Sequence, residues 1–277
     1  MTIDEILDRA LAEDLGDGDH TTMATIPQEA QGMAKLLVKD NGVLCGVIIA
    51  ERIFHKVDPA LQLYIYHYDG ALIKKGDIVF EVRGRQASIL KAERLVLNFM
   101  QRLSGIATST NLIVRKLDGL KTKILDTRKT TPLLRSLEKY AVKTGGGENH
   151  RMGLFDMIMI KDNHVDFAGG IVKAIDAVHT YFGQSGTKLL IEIEVRNFAE
   201  LQQVLNHGKV DRIMLDNFSP EHLREAVKLI DGRFETEASG GINESNVRSY
   251  AETGVDYISM GALTHQIRSL DMSLKAE

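Results

Sequence analysis

The residues best suited to chemistry lie between positions 126 and 164, in the run DTRKTTPLLRSLEKYAVKTGGGENHRMGLFDMIMIKDNH. Cationic and imidazole side chains surround a glycine triplet there, the composition of a site for a polyanion. Two short apolar runs, 122–125 and 157–160, each stop at a charged residue. Their length and their β-branched or Met-rich content predict strands rather than helices. Asp126 and Lys161 then stand at strand C-termini. In open α/β sheets and in α/β barrels ligands bind at that edge, because helices leave it uncovered.

The cations of this run divide by position. Arg135, Lys139 and Lys143 recur at every fourth residue with Glu138 between them, the pattern of a solvated helix face, and Thr131-Pro132 reads as an N-cap followed by proline at the first helical position. A helix over 133–143 is predicted, with those charges outside the site. Arg128, Lys129, His150, Arg151 and Lys161 instead lie in loops or at a strand end, where a charge can point into a cleft. His164 reads as a supporting residue.

Positioning these residues requires a repeated strand-then-helix pattern, and the second half of the chain has one. Strands are predicted over 123–126, 157–161, 189–195, 212–216, 234–239 and 257–261, with helices over 171–182, 198–205, 220–230 and 244–253. The strands end on Asp126, Lys161, Glu194, Asp216, Ser239 and Gly261, and the last four are 22, 23 and 22 residues apart. Such βα units imply a parallel sheet, and six of them fit a closed or nearly closed barrel better than a doubly wound sheet. The turns ASGGIN and MGALT follow the last two strands, so Ser239, Gly240, Gly241 and Gly261 can bring backbone N–H groups close to a phosphate. No GxxxxGKS loop occurs, and His150 breaks the GxGxxG pattern begun at Gly145, which disfavours nucleoside triphosphate and dinucleotide folds.

Composition narrows the class. A chain of 277 residues, 44% hydrophobic and 26% charged, can bury a large core. Cys45 is the single cysteine, so no internal disulfide can form and a reducing cytoplasm is expected. No signal peptide or membrane span is predicted. A net charge of -4 argues against a nucleic-acid partner, so any anion must be drawn by a local cluster. Near the start, Ile3, Ile6, Leu7 and Ala10 form the stripe of an amphipathic helix. Asp14, Asp17 and Asp19 fail the EF-hand spacing and read as a capped loop before Thr21. Residues 69–84 resemble a lipoyl- or biotinyl-type hairpin with its turn at Gly76-Asp77, without a modifiable lysine at the tip. A helix over 92–103 is expected to hand over at 102–105, giving domains 1–103 and 104–277, with the last residues able to return to the first.

The segments DTRKTTP, LEKYAVKTGGGENHR, IKDNH, LDNF, SGGIN and TGVDYISMGALTH resemble the quinolinate phosphoribosyltransferases. The likeness runs from AEDLGDGDHTT near residue 12 to SLDMSL near the end. It implies an N-terminal α/β sandwich and a C-terminal incomplete α/β barrel of the type II phosphoribosyltransferase kind. It further implies a homodimer with a shared active site, with higher assembly left open. The implied activity is phosphoribosyl transfer from phosphoribosyl pyrophosphate to quinolinate with decarboxylation, in NAD biosynthesis, with Mg²⁺ as cofactor. By resemblance, Arg94 reaches a neighbouring subunit's quinolinate, Arg128, His150 and Arg151 clamp its carboxylates, and Thr127 and Lys129 line the same pocket. Lys161 is shared between the substrates, Glu194 and Asp216 lie near the ribose and its metal, and Ser239, Gly240, Gly241 and Gly261 cradle the 5-phosphate. Lys129, Lys161, Glu194 and Asp216 are the implied catalytic set. Leu133 stands where the family often has glycine, and a firmer helix start is expected from it. Two rivals are a pyrophosphorylase for another aromatic acid, which would alter the Arg clamp, and a non-catalytic regulator, which would tolerate loss of Lys161, Glu194 or Asp216.

Overall fold

Strands from the first third of the chain, joined by the C-terminal strand, build one sheet, and strands between residues 123 and 259 build another. The computed structural model describes residues 1–277. Its strands are β1 (Gln31–Val38), β2 (Gly42–Val43), β3 (Gln62–Ile65), β4 (Leu72–Ile73), β5 (Ile78–Arg85), β6 (Lys123–Leu125), β7 (Ile158–Ile160), β8 (Ile191–Val195), β9 (Arg212–Asp216), β10 (Glu235–Ser239), β11 (Tyr257–Ser259) and β12 (Met272–Ala276). No helix is long and apolar enough to cross a membrane.

The first compact unit comprises residues 1–112, 130–146 and 263–277. Its four-stranded sheet has the order β12-β1-β5-β3, and both pairings of β1 are antiparallel. In β1 the residues Ala34, Leu36 and Val38 are buried, as period-two alternation requires. Phe54, from the helix Val47–Val57, meets Phe80 of β5 edge to face at 5.8 Å. The turn expected at Gly76-Asp77 is present, but its flanks do not pair as a hairpin. β4 joins β2 and β5 joins β1 and β3, so the two belong to different sheets. Asp19 caps the helix His20–Thr25, accepting from the Thr22 N–H at 3.0 Å, so the acidic run is a helix start.

The expected end of a helix at residue 103 is absent. One helix, Gln86–Lys116, passes through Ser104 and Gly105. Ser104 Oγ accepts from the Cys45 N–H and donates to the Cys45 carbonyl, so a polar residue is satisfied in the core. A side chain at Gly105 would collide with the Arg268 carbonyl. These small residues mark close packing along a continuous helix.

Residues 130–146 correct two further expectations. The helix is Arg135–Thr144, and Leu133 precedes it with φ 69°, in the left-handed region. Leu133 therefore contributes no firmer helix start. Thr131 caps nothing: its N–H donates to Glu138 and its hydroxyl accepts from Arg102. Glu138 and Lys139 are buried rather than solvated, and Arg102 pairs with Glu138 at 2.5 Å. A charged residue that finds a fixed partner can be buried at helical spacing that looks solvated.

The second unit comprises residues 113–129 and 147–262. Its six parallel strands have the order β6-β11-β10-β9-β8-β7, with no pairing between β6 and β7, so the barrel is incomplete. Ile191, Ile193 and Val195 of β8 are buried facing the helical layer, while Glu192 and Glu194 take the other face. Around the sheet, Phe198–His207 is capped by Asn197, and Pro220–Ile230 by Ser219 with proline at its start.

Candidate active site

A cleft of about 250 Å³ opens at the C-terminal ends of the barrel strands. It is lined from above by Thr127, Arg128, Lys129, Arg151, Lys161, Glu194, Asp216 and Ser239. Of the six predicted strand ends, Lys161, Glu194, Asp216 and Ser239 line the cleft, while Asp126 is buried and Gly261 is not among the lining residues. Asp126, fully buried, organises the loop side: it accepts from the His150 N–H at 2.9 Å and from Asn149 Nδ2 at 2.6 Å. Lys161 caps the short helix Asp162–Ala168, and its N–H donates to His164 Nδ1 at 2.9 Å, which gives His164 the supporting role expected of it.

The rim is cationic against itself. Burial and the neighbouring Arg128 both push the Arg151 guanidinium pKa below its ordinary value, the signature of positive charge gathered without enough negative charge nearby. Glu194 and Asp216 are half-buried on adjacent strands. Burial and, for Glu194, the charge of Asp216 raise both carboxyls above the ordinary range. Two carboxylates that repel each other in this way suit a divalent cation.

Under the rim lies a layer that sequence reading missed. Met159, Met214, Glu237 and Ser259 also line the cleft, and each stands two residues before a strand-end residue. Glu192 occupies the equivalent place on β8. His150 packs into this layer with its side chain 4% exposed, and its Nε2 lies 2.9 Å from Glu192 and 3.3 Å from Glu237, both fully buried. Arg212 Nη1, one layer lower on β9, is 3.3 Å from the same Glu237 oxygen, and its guanidinium stacks 4.1 Å over the Tyr257 ring. Donor atoms of His150, Glu192 and Glu237 lie within 4.8 Å of one another. The group already holds two cations of its own, the imidazole and Arg212, the latter also paired with Glu235 at 2.8 Å.

The electrostatics follow from burial and pairing. Burial lowers the His150 pKa, but hydrogen bonds to Glu192 and Glu237 outweigh it and lift the pKa to about 9. Glu192 is pushed up to about 7 by burial and by Glu237. For Glu237 burial acts upward, but hydrogen bonds from His150 and Ser259 hold it below the ordinary value. His150 Nδ1 accepts from the Arg151 N–H at 2.7 Å. Both ring nitrogens therefore face polar protein atoms, and His150 also lines the cleft.

The glycine turn expected to receive a phosphate leaves different amounts of space at its two glycines. Gly240 has φ 95°, and a side chain there would strike Asn217, whereas nothing lies within 4 Å of a side chain built at Gly241. The backbone beside Gly241 is open to a ligand. The helix after the Gly240-Gly241 turn begins only at Val247, whereas the short helix Ala262–His265 follows Gly261 directly. Arg94 lies elsewhere: it is exposed on Gln86–Lys116, in the first unit, and is not among the cleft residues. Asn98, expected to pack, is exposed beside it.

Comparison with known proteins agrees with this geometry. Residues 19–104 match the model of the quinolinate phosphoribosyl transferase N-terminal domain, and residues 106–275 that of the C-terminal domain. The chain is 46% identical over 287 residues to quinolinate phosphoribosyltransferase [decarboxylating] 1b of Nicotiana tabacum, covering 98% of this chain and 81% of that one. It is 41% identical over 274 residues to a probable nicotinate-nucleotide pyrophosphorylase [carboxylating] of Bacillus subtilis (strain 168), covering 99% and 93%. Among solved structures, NadC from Streptococcus pyogenes superposes with a TM-score of 0.94 at 41% identity, covering 99% of this chain and 95% of that one.

Proposed function

This chain belongs to the quinolinate phosphoribosyltransferase family, and we propose how its cleft carries out that family's reaction. The phosphoribosyl group of phosphoribosyl pyrophosphate passes to the ring nitrogen of quinolinate and the 2-carboxylate leaves, giving nicotinate mononucleotide, CO2 and pyrophosphate for NAD biosynthesis. The observation that carries the mechanism is the cleft's charge. Arg128, Lys129, Arg151 and Lys161 line the cleft together with Glu194 and Asp216, in a chain with a net charge of -4. Both substrates are polyanions, and a local cationic cleft draws them to a protein that otherwise repels them.

Arg128 and Arg151 suit the adjacent carboxylates of quinolinate, whose planes match the guanidinium fork, with Thr127 and Lys129 beside them. That clamp aims the ring nitrogen at the anomeric carbon. As pyrophosphate departs, positive charge develops on the ribose, and Glu194 and Asp216 stabilise it while Lys129 and Lys161 stabilise the leaving group. These two carboxylates would hold the Mg²⁺ that accompanies the donor, whose chemistry is to neutralise pyrophosphate charge. The turn at Ser239, Gly240 and Gly241, with Gly261, receives the 5-phosphate. Once the ring nitrogen is quaternised, its positive charge stabilises the electron pair left on the adjacent C2 as CO2 departs, and a proton then replaces CO2 there.

Arg94 is exposed with its charge toward solvent, and we assign it to the clamp of a second copy in a head-to-tail homodimer that can assemble further. Arg94→Ala and Lys161→Ala should each be nearly inactive. Reassociated together they should recover roughly a quarter of wild-type activity, because half the random dimers hold one intact site of two. Cys45 is a buried free thiol, which suits a reducing compartment, and the cytoplasm is our assignment. The reaction is tested by supplying phosphoribosyl pyrophosphate and Mg²⁺ with either quinolinate or nicotinate. Product from quinolinate alone is expected; preference for nicotinate would overturn the reading.

A further inference from the structure

Where two parallel backbones part they no longer reach each other, and only a side chain can add another rung to the ladder. Glu148 runs parallel beside β6: its N–H donates to the Ile124 carbonyl at 2.8 Å, and the Asp126 N–H donates to the Glu148 carbonyl at 3.1 Å. The next N–H of that series belongs to His150, and it donates to Asp126 Oδ1 at 2.9 Å. Asp126 Oδ2 accepts from Asn149 Nδ2 at 2.6 Å, and the residue is fully buried. This rung lies at the base of two cationic arms. Arg128 follows Asp126 by two residues and Arg151 follows His150 directly, and both line the cleft. The two guanidinium groups repel, so their separation must be fixed by other contacts. Beyond Arg151, the Asp156 carboxylate accepts from the Met152 and Gly153 N–H groups at 2.6 and 2.8 Å, and Arg151 Nη1 donates to the Met157 carbonyl at 3.3 Å. Arg151 is fastened on both sides, and the Asp126 side chain links that fastening to the loop that carries Arg128.

We propose that Asp126 is a positioning residue: its side chain sets the spacing of Arg128 and Arg151, and through them the preference of the cleft for two carboxylates on adjacent ring carbons. This rests on the substrate assigned above. Carboxylates on adjacent carbons of a rigid ring have one separation, so each guanidinium fork needs a fixed place, and a misplacement of about 1 Å can cost up to a hundredfold. Asparagine in place of Asp126 keeps an acceptor of the same length for the His150 N–H. Alanine removes the rung, and glutamate lengthens it by one methylene. The three substitutions separate the reach of this side chain from its charge.

The test reads which ligand is lost rather than activity alone. Quinolinate, phthalate, isophthalate and phosphoribosyl pyrophosphate are each titrated calorimetrically into wild type, Asp126→Asn, Asp126→Ala and Asp126→Glu, with thermal melts to establish folding. Phthalate carries adjacent carboxylates without a reactive nitrogen, and isophthalate sets them one carbon further apart. Asp126→Ala should weaken quinolinate and phthalate by roughly tenfold or more while phosphoribosyl pyrophosphate stays within about twofold. Asp126→Asn should remain within about threefold of wild type, and Asp126→Glu should narrow the preference for phthalate over isophthalate. In an Arg151→Ala background Asp126→Ala should cost little more, because it acts through that arginine. If Asp126→Ala is poorly folded, Asp126→Glu carries the test. The assignment is overturned by an unchanged phthalate preference in folded Asp126→Glu, by a loss in Asp126→Asn as large as in Asp126→Ala, or by equal weakening of quinolinate and phosphoribosyl pyrophosphate. Failure of the wild type to bind quinolinate would instead remove the substrate reading itself.

Discussion

On the rim of the cleft, Arg128, Lys129, Arg151 and Lys161 set four positive charges against the carboxylates of Glu194 and Asp216. One strand layer below, His150 and Arg212 meet Glu192 and Glu237 with no such surplus. The rim's surplus suits a polyanionic ligand, and burial together with Arg128 depresses the Arg151 pKa. The floor cannot wait for a ligand, since uncompensated charge there would be buried in the folded protein at all times. The two layers are separable by experiment: rim substitutions should abolish function in a stable protein, and floor substitutions should cost stability first.

The largest expected effect is on the floor. Glu237→Ala removes the carboxylate shared by His150 and Arg212, leaving them Glu192 and Glu235 alone, and should destabilise by about 3 kcal/mol in denaturant unfolding. Glu237→Gln keeps shape and hydrogen bonding and should cost clearly less. Equal stability of Glu237→Ala and wild type would erase the distinction drawn between the layers.

Rim substitutions come next. Arg128→Ala or Arg151→Ala should lower kcat/KM for quinolinate by roughly a hundredfold, near 3 kcal/mol, while affinity for phosphoribosyl pyrophosphate changes less. Stability should hold or rise slightly, because each change relieves the repulsion between the two guanidinium groups. Equal weakening of both substrates would remove these residues from the carboxylate clamp.

A smaller effect comes from the protons of the floor. Glu192 and His150 both bind protons more tightly folded than unfolded, so their contribution is present at low pH and lost as pH rises. The window runs from the ordinary values near 4.5 and 6.5 to about 7 for Glu192 and about 9 for His150. Glu237, held below its ordinary value, acts in the opposite sense and only at acid pH. Because the groups share protons, the loss between pH 6 and 9 should be on the order of 2 kcal/mol rather than the sum of two shifts. Thermal melts across that range should show it in wild type and much less in Glu192→Gln. A flat profile in wild type would mean that the floor holds no extra proton.

The rim was legible in the sequence because each apolar run stops abruptly at a charged residue or glycine. Strand ends are where backbone pairing yields to loops, so Asp126, Lys161, Glu194, Asp216 and Ser239 stood out. The floor was written there too, in the period-two rule. Counting back two residues from Lys161, Glu194, Asp216, Ser239 and Gly261 reaches Met159, Glu192, Met214, Glu237 and Ser259. A glutamate inside a strand resembles a surface position unless the barrel has already assigned its face to the lumen. Glu138 and Lys139 were beyond this reasoning. Their helical spacing is that of a solvated face, and only partners distant in sequence, such as Arg102, make burial of Glu138 tolerable.

The smallest prediction lies outside both layers and calibrates the stability scale on which they are compared. Leu133 has φ 69° and is 67% exposed, so its side chain gains little from burial while its backbone sits where a Cβ crowds the following carbonyl. Glycine adopts that conformation without the clash but gives up more chain entropy on folding. The difference should favour Leu133→Gly by about 0.5–1 kcal/mol, seen as a higher denaturation midpoint at unchanged slope. Leu133→Ala keeps the Cβ and should not reproduce the gain. If alanine stabilises as much as glycine, the effect belongs to the exposed leucine side chain and not to its backbone. In either variant kcat/KM should stay at the wild-type value, since Leu133 is not among the residues lining the cleft.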